Sequence, residues 1–220
     1  GLSSFFYSKK WGGWKSVLGR GVIFLGLGLL GEAFGQFAWT YYNVVQKIQA
    51  PYPSIADLGY SSIILFYSIA MLNFARASGV RFSLKDYVSK IQVVVVPVVM
   101  LIVSYYFFLR GYEFDWSNPL KIFLDFWYPM GDAVIISFAI LTFTLSRQHL
   151  GGVMRNKIIY VIGAFIVQYV TDYTFLYRSN AGTYVNGGIV DLMYATSFVI
   201  MTVGIVSLGM KDSRVSKNKV

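Results

Sequence analysis

Apolar residues form long runs along this chain, and short polar segments separate the runs. Each run has about the twenty residues that an α-helix needs to cross a hydrocarbon layer roughly 30 Å thick. The runs lie at residues 21–44, 55–75, 91–109, 128–146, 158–177 and 188–210. The pattern therefore predicts an all-α protein, a polytopic membrane helix bundle with six transmembrane helices.

No feature of the sequence divides the chain into separate domains. We predict a single membrane domain over residues 1–220, with the helix bundle at 21–210. Residues 1–20 then form a basic cytoplasmic segment, and residues 211–220 form a basic cytoplasmic tail. Pro97 lies inside the third predicted span, where a proline either kinks a helix or marks its true start.

Composition supports the membrane class and removes several kinds of chemistry. Hydrophobic residues make up 56% of the chain and charged residues 13%, about half the charged fraction of a typical soluble domain. Cysteine is absent and His149 is the single histidine, which excludes thiolate and multi-histidine zinc sites within one chain. A Ser-His-Asp triad also lacks a suitable base. We expect no enzyme activity and no resident cofactor, apart from a cation held by carboxylates.

The basic residues gather on one side of the predicted bundle. Of the 19 lysines and arginines, all but Lys47, Arg110, Lys121 and Arg178 fall in the two terminal segments and in the second and fourth loops. Because positive residues concentrate on the cytoplasmic side, we predict a multi-pass protein of the cell membrane with both ends in the cytoplasm. Topology thus accounts for the net charge of +9, and the expected partner is the lipid bilayer, not nucleic acid.

The longest loop on the outer side, "RGYEFDWSNPLKIFLDFW", joins the third and fourth predicted spans. Its tryptophans, Trp116 and Trp127, suit the aromatic belt found at membrane interfaces. The segment "FLDFW" is predicted to form a short helix that lies on the membrane surface.

Five acidic residues fall within the predicted spans or at their ends, all in the outer half of the bundle. They are Glu32, Asp57, Asp132, Asp172 and Asp191. A charged side chain inside a bilayer is costly, so it normally faces the bundle interior or a water-filled cavity. No lysine or arginine within a span neutralises these carboxylates. We therefore predict an outward-facing acidic vestibule that is closed on the cytoplasmic side.

Helix capping is an alternative explanation for three of these carboxylates. Asp57, Asp132 and Asp191 lie in the first turn of their predicted spans, where free N–H groups and the helix dipole favour a carboxylate. Ser54 and Asp57 approximate a capping box. Capping does not explain Glu32, which is near the middle of its span, or Asp172, which is near the C-terminal end of its span.

Further polar residues follow the carboxylates at helical spacing. They are Gln36 on the face of Glu32, Gln168 on the face of Asp172, and Tyr194 on the face of Asp191. A hydrogen bond from Gln168, which lies at a similar depth, would be enough to explain Glu32 without a functional role. Such polar faces either hold membrane helices together or line a binding site, and both readings stay open.

Small residues in the first predicted span indicate where another helix approaches it. Gly28, Gly31 and Gly35 have the spacing at which membrane helices pack closely. A phosphate-binding loop is not indicated, because no strand precedes these glycines and no Lys-Ser/Thr pair follows them.

Four segments together resemble a known kind of membrane region: "WTYYNVVQKIQAPYPSIADLGY", "YPMGDAVIISFAIL", "YVTDYTFLY" and "NGGIVDLMYATSFVI". They are similar to the multi-helix sensor region that precedes diguanylate cyclase, histidine kinase or PAS modules in bacteria and archaea. The resemblance covers residues 21–209. It implies a seven-helix parent, with another helix before "WKSVLGRGVIFLGLGLLGE". No output module follows Met210 in this sequence, which departs from that pattern.

These observations lead to one leading hypothesis about function and three alternatives. The leading hypothesis is a membrane-embedded sensor whose acidic vestibule binds a cation, an amine-bearing small molecule or a lipid headgroup and relays binding to a cytoplasmic signalling protein. One alternative is a structural or accessory subunit among other membrane subunits. Another is a small transporter coupled to protons or cations. An intramembrane hydrolase is the last, and it would need two paired aspartates within the membrane.

Overall fold

The computed structural model describes residues 1–48, 50–77, 87–106, 110–146 and 152–209. Within those ranges the chain is helical and contains no β-strand, so the prediction of an all-α protein is confirmed. The helices are α1 (Leu2–Lys10), α2 (Val17–Thr40), α3 (Ala56–Ala77), α4 (Tyr87–Ser104), α5 (Pro119–Ser146), α6 (Gly152–Asn180) and α7 (Ile189–Gly209).

Five of these helices are long and apolar enough to cross a membrane, as expected for an integral membrane protein. They are α2 with its π-helical extension Tyr41–Val45, α3, α5, α6 and α7. The third predicted span falls on α4, whose described apolar part, Val94–Ser104, is shorter than a bilayer requires. Residues 107–109 of that predicted span lie outside the described residues. The helix begins at Tyr87, so Pro97 lies in its interior and does not mark its start.

The helices pack in a ring around one hydrophobic core. Proceeding around the ring, α1 contacts α2, α2 contacts α3, α3 contacts α5, α5 contacts α6, α6 contacts α7, and α7 returns to α1. Helix α4 packs against α5. The core contains Leu25 of α2, Met71 and Phe74 of α3, Ile135 of α5, and Val161 of α6. We call the end that holds Lys10, Arg20, Arg76 and Lys157 the basic end, and the opposite end the loop end.

Glycines of α2 allow α3 to come close to its backbone. A Cβ atom at Gly28 would overlap the ring of Tyr67, and a Cβ atom at Gly35 would overlap the ring of Tyr60. Large aromatic side chains of α3 thus occupy the space that α2 leaves free. The predicted close packing at these glycines is confirmed.

Helix α1 packs against the basic half of α2. It lies within residues 1–20, for which only a basic cytoplasmic segment was predicted, because its nine residues include no long apolar run. Gly1 lies beside Leu30, and Ser4 lies beside Gly26, so α1 runs antiparallel to α2. Ser4 is buried by this contact.

Helix α1 also contacts the C-terminal end of α7. The ammonium group of Lys10 donates a hydrogen bond to the carbonyl of Gly209, and the indole N–H of Trp11 donates to the carbonyl of Leu208 at 2.8 Å. The ring of Tyr7 covers the position of a Cβ at Gly209. These contacts satisfy carbonyls that a helix end leaves unpaired, and they place a cation at the negative end of the helix dipole.

Helix α5 begins nine residues before the fourth predicted span. Asn118 caps its start, since its side-chain oxygen accepts a hydrogen bond from the N–H of Lys121 at 3.1 Å, and Pro119 occupies the first helical position. The segment "FLDFW" is therefore part of α5, and the prediction of a separate surface helix is wrong. Leu124 of this segment is buried, and the indole N–H of Trp127 donates to the carbonyl of Ser61 on α3 at 3.2 Å.

Candidate functional site

Three carboxylates from three helices come together in the interior of the bundle. They are Glu32 of α2, Asp132 of α5 and Asp172 of α6, and we call them the acidic cluster. Tyr194 of α7 borders the same cluster. Sequence periodicity placed Glu32 and Asp172 on interior faces, but the grouping of the three depends on how the helices pack.

Asp132 and Asp172 are in direct contact through their carboxyl groups. Each lies within hydrogen-bonding reach of the other. Two carboxylates offer only acceptors, so a hydrogen bond between these groups would need a proton on one of them. Both side chains are partly buried.

Asp172 has the most hydrogen-bond partners in the acidic cluster. The hydroxyl of Tyr194 donates to its Oδ1 at 2.7 Å, and the amide of Gln168 donates to Oδ1 at 3.4 Å and to Oδ2 at 3.3 Å. Tyr194 thus belongs with Asp172, although its helical face had been assigned to Asp191. Neutral donors surround this carboxylate, and they stabilise a negative charge without cancelling it.

Glu32 is the most buried member of the cluster, with 7% of its surface exposed. The amide of Gln36, one helical turn away, donates to its Oε1 at 3.4 Å. Gln168 does not supply the hydrogen bond that would explain Glu32 structurally, because it donates to Asp172 on its own helix. Glu32 still interacts electrostatically with Asp172 across the bundle.

Asp57 and Asp191 each lie in the first turn of their own helix. The N–H of Ser54 donates to Asp57 at 2.7 Å, which is the backward bond of a capping box, and Tyr128 donates to its other oxygen at 2.7 Å. Asp191 accepts a bond of 2.5 Å from the N–H of Gly187 and one of 2.9 Å from the hydroxyl of Tyr184. Capping thus accounts for both carboxylates.

Asp132 departs from its predicted location. It was expected in the first turn of a span that starts at residue 128, but α5 begins at Pro119. Asp132 therefore lies thirteen residues inside the helix, where no free N–H groups are available to it. Capping is excluded for Asp132, which joins Glu32 and Asp172 as a carboxylate that no helix end explains.

The acidic cluster has no basic partner within the described part of the chain. The ion pair in those residues joins Lys121 and Asp125 at the loop end, at 2.9 Å. No group of three acidic, histidine or cysteine side chains in the described ranges has the geometry of a metal site. The cluster is thus a group of carboxyl groups bordered by a tyrosine hydroxyl and by amides.

Sequence analysis missed a second polar centre, at Asp125 on the loop end of α5. This carboxylate accepts hydrogen bonds from Tyr52 at 2.8 Å and Tyr112 at 2.6 Å, besides its ion pair with Lys121. Tyr52 lies in the loop between α2 and α3, Tyr112 lies in the loop between α4 and α5, and Lys121 lies on α5 itself. Asp125 therefore joins both loops to α5. The four-residue spacing of Lys121 and Asp125 was the one signal in the sequence.

Tyr112 provides a pH-dependent test of this centre. Its hydrogen bond to Asp125 raises the pKa of Tyr112 from 10 to about 12. Because the raised pKa favours the protonated hydroxyl, the contact contributes fully below pH 10 and is lost as the pH rises through about 12. The tyrosinate absorbance of the wild type minus that of Tyr112→Phe reports the titration of Tyr112. We expect this difference to rise with a midpoint near pH 12. In an Asp125→Ala background the same difference should move towards pH 10, and a wild-type midpoint near pH 10 would contradict the contact.

Comparison of the chain with protein-family models, with curated proteins and with solved structures returns no match, so its function is argued from this arrangement alone.

Proposed function

We propose that this chain is the ligand-binding part of a membrane sensor, and that the acidic cluster binds a small molecule bearing a protonated amine. The observation that carries the proposal is the meeting of Glu32, Asp132 and Asp172 in the interior without a lysine or arginine partner in the described residues. Such a group of buried acids is costly to maintain in a membrane protein and marks a functional site.

An organic amine suits the cluster better than a metal ion does. A hard cation such as Ca²⁺ takes six to eight oxygen ligands, and the described residues contain no matching group of three acidic side chains. An ammonium group needs only a few acceptors and also interacts favourably with aromatic rings. Tyr67 lies close enough to Glu32 to interact with it electrostatically, and its ring packs against Phe165 at a centroid distance of 4.9 Å.

The membrane topology that goes with this proposal has six spans, with α4 as the third. Both ends of the chain would lie in the cytoplasm, and the membrane would be the cell membrane. The distribution of basic residues along the sequence supports this orientation, because most lysines and arginines fall in the two terminal segments and in the second and fourth loops. The acidic cluster would then be reached from outside the cell.

Helix α7 offers a route from the acidic cluster to a cytoplasmic partner. It carries Tyr194 beside the cluster and reaches the contacts with Lys10 and Trp11 at Leu208, fourteen residues and about 21 Å further along the helix. A ligand that displaces Tyr194 from Asp172 would shift α7 against α1. A signalling protein bound at the basic end, or another membrane subunit, would respond to that shift of α7.

Isothermal titration of the purified chain with spermidine tests the proposed ligand class, with Mg²⁺ and Ca²⁺ as comparisons. We expect spermidine to bind and the metal ions to bind more weakly. Asp172→Asn should weaken spermidine binding by about tenfold or more, because a buried charge pair is lost. The matched control is Asp191→Asn, which also removes a carboxylate but at a helix start, and it should leave the affinity unchanged. Equal affinities for the wild type and Asp172→Asn would refute the proposal.

A second candidate function is intramembrane peptide hydrolysis, and the contact between Asp132 and Asp172 favours it. Two carboxyl groups that share one proton are the arrangement that aspartic proteases use. The oxygens of Asp172 are already engaged by Tyr194 and Gln168, however, which leaves less room for an attacking water. Cleavage of a transmembrane peptide by the wild type, lost in both Asp132→Asn and Asp172→Asn, would favour the hydrolase over the sensor.

A further inference from the structure

A groove of about 610 Å³ runs between α3 and α5, apart from the acidic cluster. Its floor is the contact of Ile64 with Gly131, where an added Cβ would overlap the isoleucine side chain. Ser68 is the single polar residue among those that line it. The other lining side chains include Leu65, Ile122, Phe123, Met130 and Val134. Most of these side chains are well exposed, so the groove opens at the surface of the bundle.

The loop between α4 and α5 closes the groove at the loop end. Phe114 of this loop stacks on Phe126 of α5 at a centroid distance of 5.7 Å. The neighbouring Tyr112 is held to Asp125 by a hydrogen bond of 2.6 Å. These contacts hold the loop against α5, so Phe114 borders the groove at the loop end.

The dimensions of the groove indicate what can occupy it. Its lining on α5 extends over thirteen residues, from Ile122 to Val134, and the twelve steps between them correspond to about 18 Å of helix. One leaflet of a bilayer supplies about 15 Å of hydrocarbon, half of the full core. An acyl chain in one leaflet therefore matches the length of the groove.

We propose that the groove binds one acyl chain of a phospholipid in the leaflet at the loop end. Both walls are helices that are long and apolar enough to cross a membrane, so the groove faces the hydrocarbon of the bilayer. The apolar lining gives a hydrocarbon chain a favourable surface. The aromatic side chains at the loop end set how far that chain extends. This site is independent of the acidic cluster, and it does not depend on the proposed amine ligand.

Tryptophan quenching tests the lipid site, because Trp127 lines the groove. The purified, delipidated chain in detergent micelles is titrated with a phosphatidylcholine that carries bromine atoms on its acyl chain. We expect saturable quenching that ends at a single lipid per chain and that disappears in Trp127→Phe. Detergent replaces loosely bound lipid, so quenching at this low ratio reports a specific site.

Two matched variants distinguish the groove from the rest of the lipid-facing surface. Val134→Phe places a ring in the groove and should weaken the apparent affinity by about tenfold. Val199→Phe makes the same change at an exposed position of α7 and should leave the affinity unchanged. Equal quenching in the two variants, or quenching that persists in Trp127→Phe, would overturn the proposal. So would a dimer of the delipidated chain that Val134→Phe dissociates, since a second copy would then occupy the groove.

Discussion

Replacing Gly59 with alanine is expected to destabilise the bundle by about 2–3 kcal/mol, the cost of overpacking a tight interface. The added methyl carbon would lie 2.5 Å from the carbonyl oxygen of Gly31 and 2.6 Å from the backbone nitrogen of Gly35. Both neighbours are backbone atoms of α2, so no side chain can rotate away. Helices α2 and α3 would have to separate along the interface that also supports Tyr60 and Tyr67. Unfolding in mixed micelles with increasing denaturing detergent measures the loss.

Gly163 provides the matched control for this substitution. It also lies inside a membrane-spanning helix, α6, but a Cβ at this position would meet nothing within 4 Å. Gly163→Ala should therefore cost nothing and should gain up to about 1 kcal/mol from the higher helix propensity of alanine. If Gly59→Ala and Gly163→Ala unfold at the same detergent fraction, α2 and α3 are further apart than described.

Replacing Asp172 with leucine is expected to destabilise the chain by about 1–3 kcal/mol, because it leaves buried polar groups without partners. Asp132 loses the neighbouring carboxyl group, and the hydroxyl of Tyr194 loses its acceptor. The partial exposure of Asp132 places the cost at the lower end of that range. The same detergent titration measures it.

A triple variant separates stability from binding at the same position. Adding Asp132→Leu and Tyr194→Phe to Asp172→Leu removes the polar groups that the single substitution leaves without partners. Replacing a whole buried polar network with apolar side chains is often neutral or stabilising. We expect the triple variant to recover most of the lost stability and to remain unable to bind spermidine. Failure to recover would identify the cluster as a structural bond between helices. Retained binding would place the amine site elsewhere.

The fold follows largely from the hydrophobic pattern, because a membrane-spanning helix must satisfy its own backbone and expose apolar side chains. The apolar runs located α2, α3 and α7 within about four residues of their observed ends, whereas α6 begins six residues before its apolar run. The start of α5 was misplaced, because the apolar run marks where the bilayer begins and not where the helix begins. Its true start was encoded in Asn118 and Pro119, a cap and a first-turn residue. The hydrophobic pattern did not predict α1, because this helix is stabilised by its contacts with α2 and α7.

The candidate site divides into residues that local sequence explains and residues that it does not. Asp57 and Asp191 cap helices, as their positions at the starts of spans indicated. Glu32 and Asp172 had no such explanation, and both belong to the acidic cluster. Asp132 had been grouped with the capping residues, because the misplaced start of α5 put it in a first turn. An error in a helix boundary thus became an error in a functional hypothesis.

The order of residues establishes which segments are helical, which end of the bundle is basic, and which carboxylates lie within apolar spans. These properties depend on a residue and its neighbours within a few turns, so periodicity and composition report them. The partner of each carboxylate is a different kind of property. Asp132 meets Asp172 because the packing of α5 against α6 sets their depth and rotation, across forty residues of sequence. The same packing makes the groove between α3 and α5, where Gly131 meets Ile64. No local pattern carries that information, because it arises from the relative positions of rigid helices.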